Sequence, residues 1–551
     1  MPEYTRTAWL VRNNWQALHS SVFNNLDTVL RDDGSETEEV ECFLYEERLN
    51  RSFLSKGSVI GLGFGLMSPV LGMSSTMSIG LLNGGPLTIM GGFLICGIAT
   101  WFCSLSLGEI ISKYPIEIHG GSAMLAPARL KLICSWYTGW LMLLGNWAMS
   151  TSITFAGAQL LVSLIALTNE NLIKTENVVL HTVLAFYVIV TLVGVVNLKL
   201  ARFIETINKV CVYWIIYAII FIDILLLLFH SGNYRSLKFA LMHFDNRFSG
   251  HQSVVLSFLI GFQQSSFTLQ GFSMLTAVSD EVQRPERDIP HGMSTAVLIS
   301  WLAGIVFLLP IMLILPDPQT ILDNPKIAPV VLIFTQSTHS MFVSFFLVLM
   351  ILGNLLFSGI GSITTSSRAV YSMARDSAMP YSEIWTYIDE SSASKVPKFA
   401  VLLSMAVSYI LGLLALISTA AFNAFIGAAI ICLCSATCIP FILVMVSKRQ
   451  ALQGAPIKVK RGLGWVLNIA NTLWLLLTIV VICVPVKMPV SFSTMNYASL
   501  VYAFFLVCIT ALYYMWGKLH FKTPLVKEHI PLQSPAQQDK SKTTSLAESL
   551  Q

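Results

Sequence analysis

Twelve stretches of about twenty or more mostly apolar residues run through this chain, and most of them hold no Asp, Glu, Lys or Arg. They lie at about 58–82, 86–112, 132–165, 178–196, 205–229, 252–279, 292–315, 340–366, 399–417, 421–446, 465–485 and 496–517. A helix needs about 20 apolar residues to cross the hydrocarbon core of a bilayer. In lipid every backbone amide must be paired within the protein, and a helix does this inside one segment. The runs are too long and too continuous for the alternating strands of a membrane barrel. Only 12% of the residues are charged, against about 25% in ordinary soluble domains. The predicted fold is therefore all-α: a polytopic membrane protein of twelve transmembrane helices. A soluble enzyme, a nucleic-acid binder and a secreted disulfide scaffold are excluded. Residues 1–57 are polar and mixed in charge, with no pattern of a cleavable signal peptide. The cysteines fall mostly inside apolar runs, such as Cys96, Cys103, Cys432, Cys434 and Cys438, and read as small buried hydrophobes.

The basic residues orient the spans. With the N-terminus in the cytosol, the inside loops hold 17 Lys and Arg and the outside loops 6. Both tails then fall inside, with eleven more. Both termini are expected in the cytosol, with the plasma membrane favoured over a vacuolar or other internal membrane.

The ionisable residues within the runs are Glu109, Glu205, Lys209 and Asp223. An Asp or Lys at mid-bilayer costs about 2.5 kcal/mol or more, so each needs a role or a partner. Glu109 is near the cytosolic end of the second span. Glu205 and Lys209 are four apart in the favourable order for a helical pair. Asp223 lies about six residues from the outer end of the fifth span, among Ile216, Ile219, Ile220 and Leu227. It either reaches outward to water or carries a proton.

Two spans are poor continuous helices. The first opens Gly61-Leu62-Gly63-Phe64-Gly65, then Met67-Ser68-Pro69 and Gly72. The sixth carries Gly261, Gln263-Gln264-Ser265-Ser266 and Gln270-Gly271-Phe272-Ser273. Glycine and proline both disfavour a helix interior. Five spans separate the two, the spacing at which inverted-repeat transporters place their broken helices around a mid-membrane site. Close helix packing is the competing reading of the glycines.

These residues resemble the amino acid–polyamine–organocation superfamily of transporters, and within it the fungal amino acid/choline/GABA permeases. The resemblance is carried by Gly61-Leu62-Gly63-Phe64-Gly65-Leu66; by Ser106-Leu107-Gly108-Glu109 with Tyr114-Pro115 and Gly120-Gly121; by Asp280-Glu281-Val282-Gln283-Arg284-Pro285-Glu286-Arg287-Asp288-Ile289-Pro290; by Ser367-Arg368, Ala374-Arg375-Asp376 and Met379-Pro380; and by Met495-Asn496-Tyr497-Ala498. The matches run from about residue 52 to 517.

The resemblance implies a five-plus-five inverted repeat of the leucine-transporter type. Residues 1–57 would be a cytosolic tail, 58–230 the first repeat, 231–250 an extracytosolic connection, 251–447 the second repeat, 448–517 the last two spans and 518–551 a second cytosolic tail. It implies secondary active transport by alternating access of a small nitrogen-containing metabolite, with no cofactor and no enzymatic activity. The substrate site would use Gly61, backbone amides at Gly63, Phe64 and Gly65, with Met67 and Ser68 as its floor. The sixth-span break would add Gln264, Phe267, Gly271, Phe272 as gate or wall, and Ser273. Coupling would run on protons through Lys209 or Asp223, or on sodium through Ser362, Thr364 and Thr365. Glu109, Glu281, Arg287 and Arg368 would form a cytosolic gate.

The sequence also departs from the pattern. Many relatives carry an acidic residue where Ser273 stands, and some carry a His where Ala277 stands. A site without that carboxylate has less reason to select a bare cation such as choline or a polyamine, which favours an amino acid or another zwitterion, with a choline, GABA, polyamine or vitamin-precursor permease as the alternative. The segment after Tyr114-Pro115 is two residues longer than usual, and an aromatic stretch is shortened to Ser122-Ala123-Met124. A channel, an ATP-driven pump and a metal-dependent membrane enzyme lack the motifs they need. A non-transporting nutrient sensor stays open as an alternative, and oligomeric state is not legible.

Overall fold

The computed structural model describes residues 54–168, 178–324, 326–388, 395–417, 419–491 and 495–523. Eleven helices among them are long and apolar enough to cross a membrane. The remaining span is composite. An α-helix over Val254–Leu269 passes without a gap into a 3₁₀ helix over Gln270–Glu281. The twelve expected spans are thus present, with bounds close to the hydropathy runs. The last two tail stretches, 1–53 and 524–551, lie outside the described residues.

The two largest differences in bounds sit at one end of the bundle. The seventh span begins at Pro285, inside a motif expected as a loop, and runs to Leu313. Proline suits the first helical position, where its missing N–H is not needed. Glu286 and Asp288 occupy the first turn, the end of a helix that favours negative charge. The eighth span runs from Met341 to Arg375, so Arg368 and Arg375 are helical rather than in a loop. We call this end the basic face, because the loops rich in Lys and Arg lie there.

Burial ranks the spans. In its most apolar window the first span is 89% buried within the protein and the third 83%, whereas the last is 11% buried. The first span packs against the fifth, sixth, seventh and eighth. The third packs against the eighth and tenth. The two discontinuous spans therefore meet at the centre, and the eleventh and twelfth sit at the side.

The 3₁₀ half of the sixth span has a local cause. Ser273, Thr276 and Ser279 recur every three residues, the 3₁₀ repeat. Each hydroxyl donates to the carbonyl three residues earlier, at 3.2, 2.9 and 2.7 Å. Such side-chain bonds offer the backbone an alternative to the α-helical ladder. Twelve residues of 3₁₀ helix is long for this conformation, which marks the segment as a hinge candidate. Beside its end, the N–H of Leu54 donates to the carbonyl of Glu281 at 3.0 Å, tying the chain before the first span to the end of the sixth.

Candidate functional site

The first span is broken at one residue. A helix over Lys56–Met67 ends at Ser68, and a second piece starts at Pro69 and runs to Ser75. The Ser68 N–H still donates to the Phe64 carbonyl at 2.9 Å. Pro69 has no N–H to continue the ladder, and the residue before a proline is pushed out of the α conformation. The break thus falls at Ser68-Pro69, and not at the glycines where it was expected.

The glycines serve packing instead. A Cβ on Gly61 would lie 1.9 Å from the backbone carbonyl oxygen of Asn208 on the fifth span. One on Gly63 would lie 2.8 Å from both Ala296 and Leu275, and one on Gly65 3.0 Å from the Cys211 sulfur. All three glycines and Phe64 are buried in continuous helix. Their amides bond within that helix and face no cavity.

A small cavity of about 10 Å³, room for roughly one water molecule, lies at the Ser68 break. The first span lines it with Leu66, Met67, Ser68, Leu71, Gly72 and Ser75. The third span adds Met149, Ile153 and Ala156; the sixth adds Phe267 and Thr268; the eighth adds Ser358. The Ser68 hydroxyl is buried there without a hydrogen-bond partner. Of the residues expected from sequence, Met67, Ser68 and Phe267 line this cavity. Gln264 lies one helical turn before Thr268. Phe272 and Ser273 are buried in the 3₁₀ helix away from it, and Gly271 is packed on the Leu66 backbone, 3.2 Å from where its Cβ would stand.

The first half-helix ends beside the cavity. The last carbonyls of a helix lack intrahelical partners. Here that of Phe64 is taken by Ser68, and that of Gly65 by the Ser358 hydroxyl at 2.6 Å. Leu66 and Met67, the next two, form the cavity wall. A helix C-terminus is the negative end of its dipole and favours a cation. None of the lining residues is charged.

The coupling residues expected from sequence are placed elsewhere. Lys209 is half exposed and pairs with Glu205 at 2.6 Å on the outer face of the fifth span. Its neighbour Asn208 is the residue that faces the first span, and donates to the Ser58 hydroxyl at 3.2 Å. Adjacent helical residues differ by about 100° in direction, so Lys209 cannot project between the first and eighth spans. Asp223 is half-buried, with one carboxylate oxygen lacking a partner. The hydrogen bonds of the three hydroxyls proposed for sodium go elsewhere than to the first span. Ser362 meets Ser150 of the third span at 3.1 Å, and Thr364 donates to Asn197 of the fourth at 2.7 Å. Thr365 donates to carbonyls of its own helix. The eighth-span hydroxyl that does reach the first span is that of Ser358, which sequence reading missed.

At the basic face a set of buried ion pairs ties the sixth and eighth spans together. Arg368 Nε donates to Glu281 at 2.8 Å, with both side chains buried. Arg375 contacts Asp280, Glu117 and Asp376, and His119 contacts Asp376 at 2.7 Å. The lengthened segment after the second span, a short helix over Ile118–Leu125, thus brings Glu117 and His119 to this cluster. Glu109 is not beside open water. Arg449 holds both its oxygens, at 2.7 and 2.6 Å. Arg449 fits there because Gly464 leaves room, a Cβ at Gly464 lying 2.3 Å from the guanidinium. Arg287 is exposed and outside these pairs. On the opposite face, hydrogen bonds from Arg247 hold the Asp245 carboxyl below the usual carboxylate range.

The profile of the amino acid permease family matches residues 57–530, the whole helical bundle. The chain belongs to the amino acid permease family. Members of this family are membrane carriers, not enzymes. The polyamine transporter TPO5 of Saccharomyces cerevisiae is 63% identical over 98% of this chain and 88% of its own. The amino-acid permease BAT1 of Arabidopsis thaliana is 30% identical over 87% of this chain and 94% of its own. The choline transporter of Saccharomyces cerevisiae is 28% identical over 83% of this chain and 80% of its own. The permease thus has relatives named for amino acids, choline and polyamines, and family membership alone does not choose among them.

Lys209→Ala is expected to leave transport by this permease within about twofold of the unaltered protein. An exposed ion pair contributes only about 0–1 kcal/mol. Initial rates across a pH gradient check this; loss of gradient-driven accumulation would return Lys209 to the coupling machinery.

Proposed function

We propose that this permease carries polyamines by alternating access, with the cavity at Ser68 as the central site. The observation that carries the reading is the carbonyl end of the Lys56–Met67 helix at a cavity without charged side chains. That end favours an ammonium group and disfavours a carboxylate. The lack of an acidic residue at Ser273 weighed against a cation in the sequence. The half-helix supplies the negative end in its place. The 63% identical relative is named a polyamine transporter, which supports the same class.

Transport would proceed by rocking of the halves 58–230 and 251–447 about this cavity. The ion pairs at the basic face would seal one side, and the 3₁₀ half of the sixth span would hinge it. Coupling is proposed to run on protons, with Asp223 as the candidate carrier. The hydroxyls of Ser362 and Thr364, engaged with the third and fourth spans, support this over sodium. A cytosolic basic face and a plasma-membrane location belong to the same proposal, resting on the distribution of Lys and Arg.

The test is counterflow and uptake of labelled spermidine in proteoliposomes, with leucine, choline and GABA as competitors. Spermidine counterflow is expected, with accumulation following an imposed pH gradient and ignoring sodium. Leucine uptake that spermidine does not inhibit would replace the polyamine reading by an amino acid one. Binding without counterflow would make the protein a sensor.

A further inference from the structure

The twelfth span is thinly packed along its length and firmly held at its end. In its most apolar window it is 11% buried within the protein. Its α-helix over Ala498–Leu512 widens into a π-helical turn over Tyr513–Gly517 and closes with a short turn over Lys518–His520. Such π turns occur often at functional sites. Gly517 packs on Trp136 of the third span, where a Cβ would stand 2.6 Å from the indole. Phe521 is buried edge-on against the same indole, with ring centroids 5.3 Å apart. Two donors of this segment reach the end of the eighth span. The Trp516 indole N–H donates to the Ser377 carbonyl at 3.1 Å, and the Lys522 backbone N–H donates to the Asp376 carbonyl at 3.0 Å. Carbonyls at a helix C-terminus have no intrahelical partner, so the twelfth span completes the cap of the eighth. That cap turns on Ser377, with φ +58°, where glycine is usual. The N–H groups of Ser377 and Ala378 donate to Ala374 and Met373, both at 2.9 Å. A non-glycine residue in the left-handed region persists where its surroundings hold it. Arg375 and Asp376, the two residues just before it, are the ones that contact Asp280, Glu117 and His119.

We infer that residues 513–522 are a strap that positions the basic-face gate. By capping the eighth span they fix Arg375 and Asp376 where the acidic residues and His119 meet them. With the strap released, the end of the eighth span frays and Arg375 leaves Asp280 and Glu117. The strap makes the last span, which lies outside the two halves that rock, a control point of the gate. A span so thinly packed elsewhere can detach at this end without unfolding the bundle. The inference rests on the alternating-access reading of the gate, and not on which substrate is carried.

The test follows labelling of Ser68→Cys from the basic face by a membrane-impermeant thiol reagent, in the full chain with its ten native cysteines replaced. Trp516→Phe keeps an aromatic ring and removes the N–H. Lys522→Pro removes the other donor, and Phe521 already has the extended ψ, 125°, that suits a following proline. Lys522→Ala keeps that N–H and gives the share of the side chain. Loss of one hydrogen bond shifts a two-state ratio roughly two- to tenfold. Trp516→Phe and Lys522→Pro should therefore each speed labelling about threefold, and together about tenfold, with Lys522→Ala near the unaltered rate. Thr510→Val breaks the 2.7 Å contact of the same span with Tyr137 of the third, and should leave labelling unchanged. Glu281→Gln is the open reference. Strap variants that label at the unaltered rate while Glu281→Gln labels fast would overturn the strap and leave the gate intact. Equal acceleration by Thr510→Val would reduce these contacts to anchorage of the last span and overturn the strap as well. Glu281→Gln labelling no faster would overturn the gate itself, and the strap with it. If Lys522→Pro yields no folded protein by fluorescence size exclusion, Trp516→Phe decides alone.

Discussion

Glu281→Gln is expected to leave the protein folded in the membrane but open at its basic face. The pair with Arg368 is buried on both sides, with the side chains 1% and 5% exposed. Removing one partner of such a pair leaves an uncompensated buried charge and costs about 3–5 kcal/mol. The pair joins the end of the sixth span to the eighth, so the cost falls on the conformation in which those spans touch. Separation lets water reach Arg368, and the open conformation escapes the penalty. A shift of about 3 kcal/mol is on the order of a hundredfold in the ratio of the two states. The check is a single cysteine at Ser68, placed in a background with the ten native cysteines replaced. A membrane-impermeant thiol reagent applied from the basic face should label it much faster in Glu281→Gln. The swap Glu281→Arg with Arg368→Glu should restore slow labelling. Unchanged labelling with lower folded yield would mean that the pair holds both conformations equally and is no gate.

The sequence carried the spans well and the site poorly, for identifiable reasons. Hydropathy marks a span because the bilayer imposes its length, and this needs no knowledge of neighbours. Helix azimuth is different. Lys209 was singled out over Asn208 by its charge, yet the direction in which each points depends on how the fifth span is rotated against the first. Ser362, Thr364 and Thr365 came from the resemblance, which names hydroxyls of the eighth span but not the one, Ser358, that this packing turns to the first span. The three glycines drew the break toward themselves, although Ser68-Pro69 carried the stronger signal: a missing N–H and a restricted preceding residue. Glu281 and Arg368 were both expected in a gate with Glu109 and Arg287, because their motifs flank the same end of the bundle; the structure pairs Glu281 with Arg368 and leaves Glu109 and Arg287 out of that pair. Arg449 was not anticipated, because its partner Glu109 is 340 residues away and nothing local marks it. The carbonyl end of the half-helix was legible only once the break was placed at the right residue.

Gly61→Ala is expected to be the most damaging of the glycine substitutions, and to act on assembly rather than on the substrate. Its Cβ would stand 1.9 Å from the Asn208 carbonyl oxygen and 2.6 Å from the carbonyl carbon. Both atoms are backbone, so the first and fifth spans must separate for the methyl group to fit. Overpacking a core costs about 1–3 kcal/mol, and more where nothing can move; the upper end is expected here. Gly65→Ala differs. Its Cβ would stand 3.0 Å from the Cys211 sulfur, a side-chain atom. The cost there should be small, and Cys211→Ala should relieve it. Membrane-extracted protein followed by fluorescence size exclusion during a temperature ramp gives the comparison. Gly61→Ala should lose most of its folded yield and transport together. Gly65→Ala should keep both, with its small loss in midpoint recovered in the double substitution. The sequence alone suggested the opposite ranking, in which Gly63 and Gly65 touch substrate and their alanine variants fold but do not transport. A folded, inactive Gly65→Ala beside a normal Gly61→Ala would restore that reading and move the substrate from the Ser68 cavity to the glycines.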